Sequence, residues 1–430
     1  MRRLWIMLVV IALIPHSRAN AGDWPGWRGP TGMGHTDEKD LPLEWDGKTN
    51  KNIIWKAAIP GTYPKIALFS SPGHSSPIVW RDRVFITTAI WPADANQDEW
   101  KRTIAEHHVL CFQTSDGKQL WDVTIPAGKI MSDNIFHGYA VPTPVTDGKH
   151  VFALFGSGVL VCLDFEGKIV WREELPRLKD VDPGICSSPI LYEDTVIVPS
   201  ITDAGLRALE KATGKLKWEQ KSRDKNRMAT PVLLRIQDKL QMIHFAGGMQ
   251  GLDPATGDVI WSCRAPTSQS SPTFGQGLIF GDAGRGGKNG VAIDPTSKGD
   301  VSKTHVKWEV TDNPGAAASS AVISGNFIYR VSDPTRILCR NLTTGELIYD
   351  ERVMKISPSA SPIATPDGRI YFASAGTSYV VKAGPTYELL ATNSLESGNS
   401  QNYSTPAVAD GRLYIKGRFY LWCVGTKKGE

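Results

Sequence analysis

The chain has 430 residues, of which 41% are hydrophobic and 21% charged, with 41 glycines, 28 prolines and a formal net charge of +4 at pH 7. Three positive charges, Arg2, Arg3 and Arg18, lie in the first 21 residues, which contain no acidic residue, so the remainder is close to neutral. This balance excludes a strongly basic surface for nucleic acid or an anionic membrane, and the composition is not that of a disordered chain.

Residues 1–21 have the pattern of a secretory signal peptide. A positive start is followed by an apolar run from Leu4 to Leu13 and by the small-x-small sequence Ala19-Asn20-Ala21. This run is shorter than the ~20 residues of a membrane-spanning helix, which disfavours the alternative of a membrane anchor. No cysteine near the cleavage site could carry a lipid. We therefore expect a cleaved signal peptide, a periplasmic or secreted protein, and an N-terminal extension over residues 22–49.

Residues 50–430 contain a repeat that opens eight times. Each unit begins with serine or threonine followed by proline, except that alanine replaces proline once, and successive openings are 41 to 67 residues apart. A period of this size is typical of propellers and solenoids. The openings are Ser76-Pro77, Thr143-Pro144, Ser188-Pro189, Thr230-Pro231, Ser271-Pro272, Ser320-Ala321, Ser361-Pro362 and Thr405-Pro406.

Each unit has the pattern of a four-stranded blade. In the first unit, apolar runs flank the polar turn Arg81-Asp82-Arg83, and a later turn at Gly117 precedes Trp121. Four strands per unit predict an all-β fold, an eight-bladed β-propeller. The aromatic residues that end the units are expected to dock each blade on its neighbour rather than to bind a ligand. These residues are Trp121, Trp171, Trp218, Trp261 and Trp308.

The last unit supplies only three strands, ending near Cys423. The segment Asn52 to Lys56 resembles the outer strand that precedes Ser76. We therefore expect this N-terminal strand to pair with the last blade, which closes the ring and removes an exposed sheet edge.

The six cysteines are not expected to form disulfides. Cys111, Cys162, Cys339 and Cys423 occupy the same strand of four different units, too far apart for the ~7 Å limit between bridged Cα atoms. We interpret them as small buried residues. Cys186 and Cys263 occupy unrelated positions and are also expected to be free thiols.

The connections differ in length between the two faces of the predicted ring. Connections that enter the innermost strand of a blade, or join its second and third strands, emerge on one face, which we call the long-loop face. The others emerge on the short-turn face. Residues 91–106, 129–140, 222–228 and 281–290 form long segments on the long-loop face, where long loops favour function.

Polar residues on the long-loop face are the candidate ligand-binding residues. His74 and His137 precede adjacent innermost strands and suit a metal or acid/base role. The simpler interpretation is a polar rim around a solvated funnel, and we predict no catalytic residue and no metal site. The candidates are His74, Asp133, Asn134, His137, Arg223, Arg227, Arg285, Lys288, Asn402 and Tyr403.

Two other motifs resemble a metal site and a phosphate-binding loop, but the spacing of their residues disfavours both functions. His107 and His108 follow Glu106, but adjacent residues on a strand point to opposite faces, so the two imidazoles would not bind one ion. The segment from Gly284 to Lys288 lacks the spacing and the following helix of a phosphate-binding loop, and it is interpreted as a glycine-rich hairpin.

The units resemble the pyrroloquinoline-quinone-like repeat. Its pattern is met from Ala208 to Trp218 and from Asp253 to Trp261, and the resemblance spans residues 50–425. The segment from Asp23 to Pro30 is similar to the opening of a planctomycete-type group of exported bacterial propellers.

The resemblance implies two classes of function. Quinoprotein dehydrogenases oxidise alcohols or sugars with pyrroloquinoline quinone and calcium, but the adjacent cysteine pair of the methanol-dehydrogenase type is absent here. The other class, which includes the outer-membrane-assembly propeller lipoprotein, uses the propeller to bind proteins. We therefore expect a monomeric scaffold of the cell envelope that binds a protein or polysaccharide, without a cofactor. A quinone-dependent dehydrogenase is the alternative. A glycan-acting enzyme is a third possibility, although no paired carboxylates stand out by spacing.

Overall fold

A computed structural model describes most of the chain after residue 21. The described residues form 33 strands in eight sheets, and they contain no helix. The described ranges are 22–60, 73–91, 105–128, 138–176, 186–200, 205–222, 228–245, 247–264, 270–282, 290–310, 318–332, 335–357, 359–395 and 404–426. The predicted signal peptide lies outside them.

The first strand, β1 (Ile53–Ala58), precedes the first four blades. Blade 1 is β2 (Ile78–Trp80), β3 (Arg83–Ile90), β4 (Glu106–Gln113) and β5 (Gln119–Ile125). Blade 2 is β6 (Val145–Thr146), β7 (His150–Leu154), β8 (Val159–Asp164) and β9 (Ile169–Glu174). Blade 3 is β10 (Ile190–Tyr192), β11 (Thr195–Pro199), β12 (Leu206–Glu210) and β13 (Leu216–Gln220). Blade 4 begins with β14 (Val232–Ile236), β15 (Lys239–Phe245), β16 (Met249–Leu252) and β17 (Val259–Cys263).

The remaining strands complete the ring. Blade 5 is β18 (Thr273–Gly275), β19 (Leu278–Asp282), β20 (Gly290–Ile293) and β22 (Val306–Val310), while β21 (Gly299–Asp300) joins blade 4. Blade 6 is β23 (Val322–Ser324), β24 (Phe327–Ser332), β25 (Arg336–Asn341) and β26 (Leu347–Arg352). Blade 7 is β27 (Ile363–Ala364), β28 (Arg369–Phe372), β29 (Thr377–Lys382) and β30 (Leu389–Ser394). Blade 8 has β31 (Ala407–Ala409), β32 (Arg412–Lys416) and β33 (Tyr420–Gly425).

The predicted eight-bladed propeller and its closure are confirmed. Strand β1 pairs antiparallel with β33 and supplies the fourth strand of blade 8, with Trp55 opposite Cys423. One blade thus contains strands from both ends of the described chain. The edge of β33 is covered by β1 and does not remain open to another chain.

A closed circle of eight hydrogen bonds joins the blades at the start of their innermost strands. The backbone N–H of Ser76 donates to Oγ1 of Thr143 over 2.9 Å, and each later opening residue repeats this contact with the next blade. Thr405 donates back to Oγ of Ser76 over 3.0 Å and completes the circle. The intervening donors are Thr143, Ser188, Thr230, Ser271, Ser320 and Ser361. We call these eight residues the hydroxyl ring; they open every repeat because the contact needs a short hydroxyl side chain.

Tryptophans on the outer strands pack over the glycine turn of the following blade. The indole N–H of Trp121 donates to the carbonyl oxygen of Phe165 over 2.8 Å, and a Cβ at Gly167 would lie only 3.0 Å from the Trp121 ring. Trp171, Trp218, Trp308 and Trp55 lie in the same way over the turn glycines of blades 3, 4, 6 and 1. Glycine is required at these turns because the backbone has positive φ and the indole fills the space of a side chain.

The indole N–H of Trp261 bonds within its own blade, although its ring belongs to a buried cluster that includes Ile279 and Val291 of blade 5. Its indole N–H donates to Oε1 of Gln241 over 2.9 Å. In the following blade the short glycine turn is replaced by a longer connection containing β21, which pairs in parallel with β17 and places Gly299 opposite Trp261. The sequence gives Trp261 the docking position, and the insertion explains its different partner.

A β-bulge recurs between the third and outer strands of all eight blades. In blade 1 the pairing moves from Cys111 opposite Trp121 to Phe112 opposite Gln119, which leaves Leu120 unpaired. Equivalent shifts occur in the other seven blades. Bulges twist an outer strand and make it a poorer template for pairing with another chain.

None of the six cysteines forms a disulfide, as predicted. Cys111, Cys162, Cys339 and Cys423 lie on the third strands of four blades, and burial raises the pKa of each thiol to about 12. Among the described residues, no helix has the length and apolar character needed to cross a membrane.

Candidate functional site

His74 is the one predicted ligand-binding residue that lies within the described ranges. It is half-buried and lies two residues before the hydroxyl-ring member Ser76, at the long-loop end of the innermost strand. The other candidates, Asp133, Asn134, His137, Arg223, Arg227, Arg285, Lys288, Asn402 and Tyr403, lie outside the described residues. The predicted proximity of His74 and His137 therefore stays a prediction.

A buried lysine of blade 8 holds the segment around His74. Nζ of Lys416 donates to the carbonyl oxygen of Gly73 over 2.9 Å, to that of Ser75 over 3.3 Å and to Oγ of Ser75 over 2.9 Å. Burial lowers the pKa of Lys416 to about 7. The amine fixes the backbone on both sides of His74, so this edge of the mouth is preorganised.

A second buried charge lies on the same side of the ring. Asp282, the last residue of β19, forms an ion pair with Arg330 of β24, which joins blades 5 and 6. Both side chains are buried. Because a buried ion pair gains stability only with good hydrogen bonding, it serves better to fix geometry than to add stability.

The opposite, short-turn face is covered by the N-terminal segment, residues 22–49, which we call the strap. Trp24 exchanges two backbone hydrogen bonds with Val79 of blade 1. The carbonyl oxygen of Pro25 accepts a hydrogen bond from Thr146 of blade 2. Farther along, Gly34 and Thr36 exchange backbone hydrogen bonds with Ala364 of blade 7. Nε2 of His35 also lies 2.6 Å from the carbonyl oxygen of Ile323 in blade 6. Because blade 6 is opposite blade 2 in a ring of eight, the strap crosses the axis.

The strap continues over blades 7 and 8. The carboxylate of Glu38 accepts hydrogen bonds from the backbone N–H groups of Asp410 and Gly411 over 3.1 and 3.0 Å. Arg369 donates to the carbonyl oxygen of Leu41 over 2.9 Å. Both contacts involve the short turns of the blades or residues next to them. The short-turn end of the axial channel is therefore closed by the protein's own chain.

One groove lies beside the strap on this face. Its volume is about 1060 Å³, and charges of both signs line it. Its lining includes Lys39 and Asp40 of the strap, Ile54 of β1, and Asp410 and Arg412 of blade 8. The mixed lining favours no single class of ligand.

His107 and His108 have separate environments, as adjacent residues on β4 should. Nε2 of His107 lies 2.7 Å from Oγ of Ser157, and its ring stacks on Phe155 with the ring centroids 4.5 Å apart. Nδ1 of His108 lies 2.7 Å from Oδ1 of Asp122. Burial lowers the pKa of His107 to about 3. For His108, burial is outweighed by the bonds and charges of Asp122 and Glu106, which raise its pKa.

A calcium-bound quinone needs a set of oxygen donors to hold the ion. Within the described ranges no three His, Cys, Asp or Glu side chains come together to bind a metal ion. The sequence also lacks adjacent cysteines. We therefore assign no catalytic step to such a cofactor.

Sequence analysis missed the strap's path and the buried position of Arg28. The segment from Gly22 to Gly34 contains five glycines, at 22, 26, 29, 32 and 34, of which all but Gly26 have positive φ. This glycine density was the available signal for a tightly folded segment.

Comparisons with known proteins agree with this architecture. The family model described as outer membrane protein assembly factor BamB matches residues 105–351, more than half of the chain. No curated protein matches the sequence.

Several solved structures are similar. BamB from Moraxella catarrhalis has 14% identity and a TM-score of 0.58, covering 87% of this chain and 99% of that one. The computationally designed Ika8 protein has 10% identity and a TM-score of 0.57, covering 87% and 100%. A europium-containing methanol dehydrogenase has 11% identity and a TM-score of 0.49, covering 94% and 89%. At these identities the likeness to BamB and to Ika8 shows the fold alone.

Proposed function

This chain belongs to the family described as outer membrane protein assembly factor BamB, and from that membership we propose that it is a binding scaffold of the cell envelope. It would present its long-loop face to a protein partner, with a polysaccharide as the other ligand expected from the sequence. The predicted signal peptide places it in the periplasm or outside the cell. In this proposal the protein is a monomer and needs no cofactor.

The proposal rests on the observation that the strap covers one of the two faces of the propeller. The strap crosses the short-turn face, and Glu38 occupies the backbone N–H groups of Asp410 and Gly411 there. We assign the partner to the long-loop end of the channel. Its mouth at His74 is held rigid by Lys416, and a rigid surface loses less conformational entropy on binding.

The alternative function is a quinone-dependent alcohol or sugar dehydrogenase. The same repeat type occurs in such enzymes, but the sequence lacks the adjacent cysteine pair of the methanol-dehydrogenase type, and in the described ranges no three His, Cys, Asp or Glu side chains lie together. The scaffold interpretation requires no such group, so we favour it.

Photo-crosslinking tests which face binds. A photoreactive amino acid is placed at His74 on the long-loop face and, as the matched control, at Lys118 in the exposed glycine turn of the same blade. We expect a discrete adduct with an envelope protein from position 74 and none from position 118. Absence of an adduct at position 74, or identical adducts from both positions, would contradict the proposal.

A further inference from the structure

Arg28 of the strap is a charged side chain inside the ring of innermost strands. Its side chain is fully buried, and Nη2 donates to the carbonyl oxygens of Met33 over 2.8 Å and Ala321 over 2.5 Å. Ala321 directly follows Ser320, a member of the hydroxyl ring. The guanidinium therefore extends from the strap along the axis to a level next to that ring, near the long-loop end of the innermost strands.

No carboxylate pairs with this guanidinium among the described residues. Its Nε and Nη1 have no hydrogen-bond partner in that part of the chain. The nearby His35 donates its Nε2–H to the carbonyl oxygen of Ile323, and its pKa is lowered by burial and also by the charge of Arg28. A buried cation without a counter-ion is costly, because its desolvation is not compensated.

The backbone at Arg28 is also unusual. Its φ is +60°, in the left-handed region that side chains other than glycine, asparagine and aspartate rarely adopt. The strap thus holds both a strained residue and a charge without a counter-ion at one point, with the Trp27 ring, 5.5 Å from the guanidinium carbon, as a cation–π partner. Such features persist where they serve a function.

The surroundings include hydrogen-bond donors for an anion. Each hydroxyl of the ring accepts a backbone N–H from its neighbour, as Ser361 does from Ser320, and still has one O–H group to donate. A guanidinium beside hydroxyl donors is the chemistry that binds carboxylates and phosphates.

We propose that Arg28 forms the floor of an anion-binding site in the axial channel, which takes a small carboxylate or phosphate group through the long-loop end. The anion compensates the buried guanidinium and uses its two unpaired N–H groups. This inference does not depend on the scaffold function, because it concerns the channel and not the surface around His74.

Ligand-dependent unfolding of the signal-free protein tests the site. Inorganic phosphate and malonate are each titrated at constant ionic strength against chloride, and the midpoint of thermal unfolding is recorded. We expect a saturable rise of about 3 °C at concentrations well above the dissociation constant. R28M should lose this rise, while R235M, which removes an exposed arginine of β14, should keep it.

Two further measurements keep the proposal falsifiable if R28M does not fold. R28K keeps the positive charge but loses the planar guanidinium, which can donate two parallel hydrogen bonds to one anion. It should bind phosphate at least tenfold more weakly. The ³¹P line width of phosphate should broaden with the wild-type protein and narrow again when malonate competes. No rise and no broadening with wild type would overturn the proposal, as would an equal rise in R28M. Stabilisation by hexaglutamate alone would also overturn it, since that result indicates a surface site for an acidic partner.

Discussion

The backbone N–H of Thr405 in blade 8 donates a hydrogen bond to the side-chain oxygen of Ser76 in blade 1, 329 residues earlier in the chain. It is the eighth member of a circle in which every blade bonds its neighbour through the same type of residue. Each acceptor hydroxyl is buried, so water does not replace it readily.

Removal of one hydroxyl from the ring should destabilise the whole propeller. S76A leaves the buried N–H of Thr405 without an acceptor, and we expect a loss of about 1–3 kcal/mol in the free energy of unfolding measured in urea. S76T keeps a hydroxyl and should lose less. S115A, at an exposed turn, is the control and should change stability by less than about 0.5 kcal/mol. Equal effects of S76A and S115A would show that the ring does not stabilise the fold.

The packing of tryptophan on the turn glycines can be separated from backbone strain. Gly257 and Gly277 both have φ of +78°, but a Cβ at Gly257 would lie 2.8 Å from the Trp218 ring, whereas nothing lies within 4 Å of one at Gly277. G277A should cost about 1 kcal/mol of strain. G257A should cost about 1–3 kcal/mol more, because the indole must move. Equal losses of unfolding free energy in the two variants would contradict this role of Trp218.

Deletion of residues 50–58 should open the ring. These residues include β1, and with them Trp55, which donates to the carbonyl oxygen of Thr114 in blade 1 over 2.8 Å. Without β1, blade 8 has three strands and its contact with blade 1 is lost. We expect a lower midpoint and a broader transition in thermal unfolding. An unchanged unfolding curve would show that closure through β1 contributes nothing.

His107 should make the fold sensitive to acid. Burial lowers its pKa to about 3, whereas the unfolded chain takes up a proton near pH 6.5. The contribution of neutral His107 to the free energy of unfolding is therefore fully present above about pH 6.5. It falls as the pH drops toward 3, by at most about 1.4 kcal/mol per pH unit. H107L should flatten this fall when the free energy of unfolding is measured from pH 7 to 4, even if its absolute stability is lower. An unchanged slope would assign the acid sensitivity to other groups.

The neighbouring His108 should act in the opposite direction. Its raised pKa means that its stabilising contact with Asp122 is fully present below about pH 6.5 and is lost as the pH rises through the folded-state pKa. H108Q should remove the part of the stability decrease that occurs on going from pH 6 to 9. The wild-type protein measured over the same range is the reference.

The repeat allowed the sequence to predict the fold and its closure, because Ser76-Pro77 and its seven counterparts recur with one hairpin pattern. The bond from Ser76 to Thr143 was not predictable, since it depends on how closely neighbouring blades approach. The paths of Trp24 and Arg28 were not predictable either, because the strap has no periodicity and obtains its conformation from blades 1, 2, 6, 7 and 8. Trp261 departed from its pattern because an insertion in the next blade changed its neighbour.

The candidate site was less predictable than the fold. His74 was selected for its position before an innermost strand, and the structure adds the buried Lys416 that holds its backbone. No sequence rule links residues 73 and 416, which meet only because the ring closes. Function in this fold depends on such surface details and not on the architecture.

The most direct test of the scaffold account is a calorimetric titration of the metal-replete protein with pyrroloquinoline quinone, followed by dye-coupled oxidation of alcohols and sugars. The account predicts neither saturable binding nor turnover, with partner capture through position 74 unaffected. Tight binding accompanied by turnover would contradict it and identify the protein as a quinone-dependent dehydrogenase.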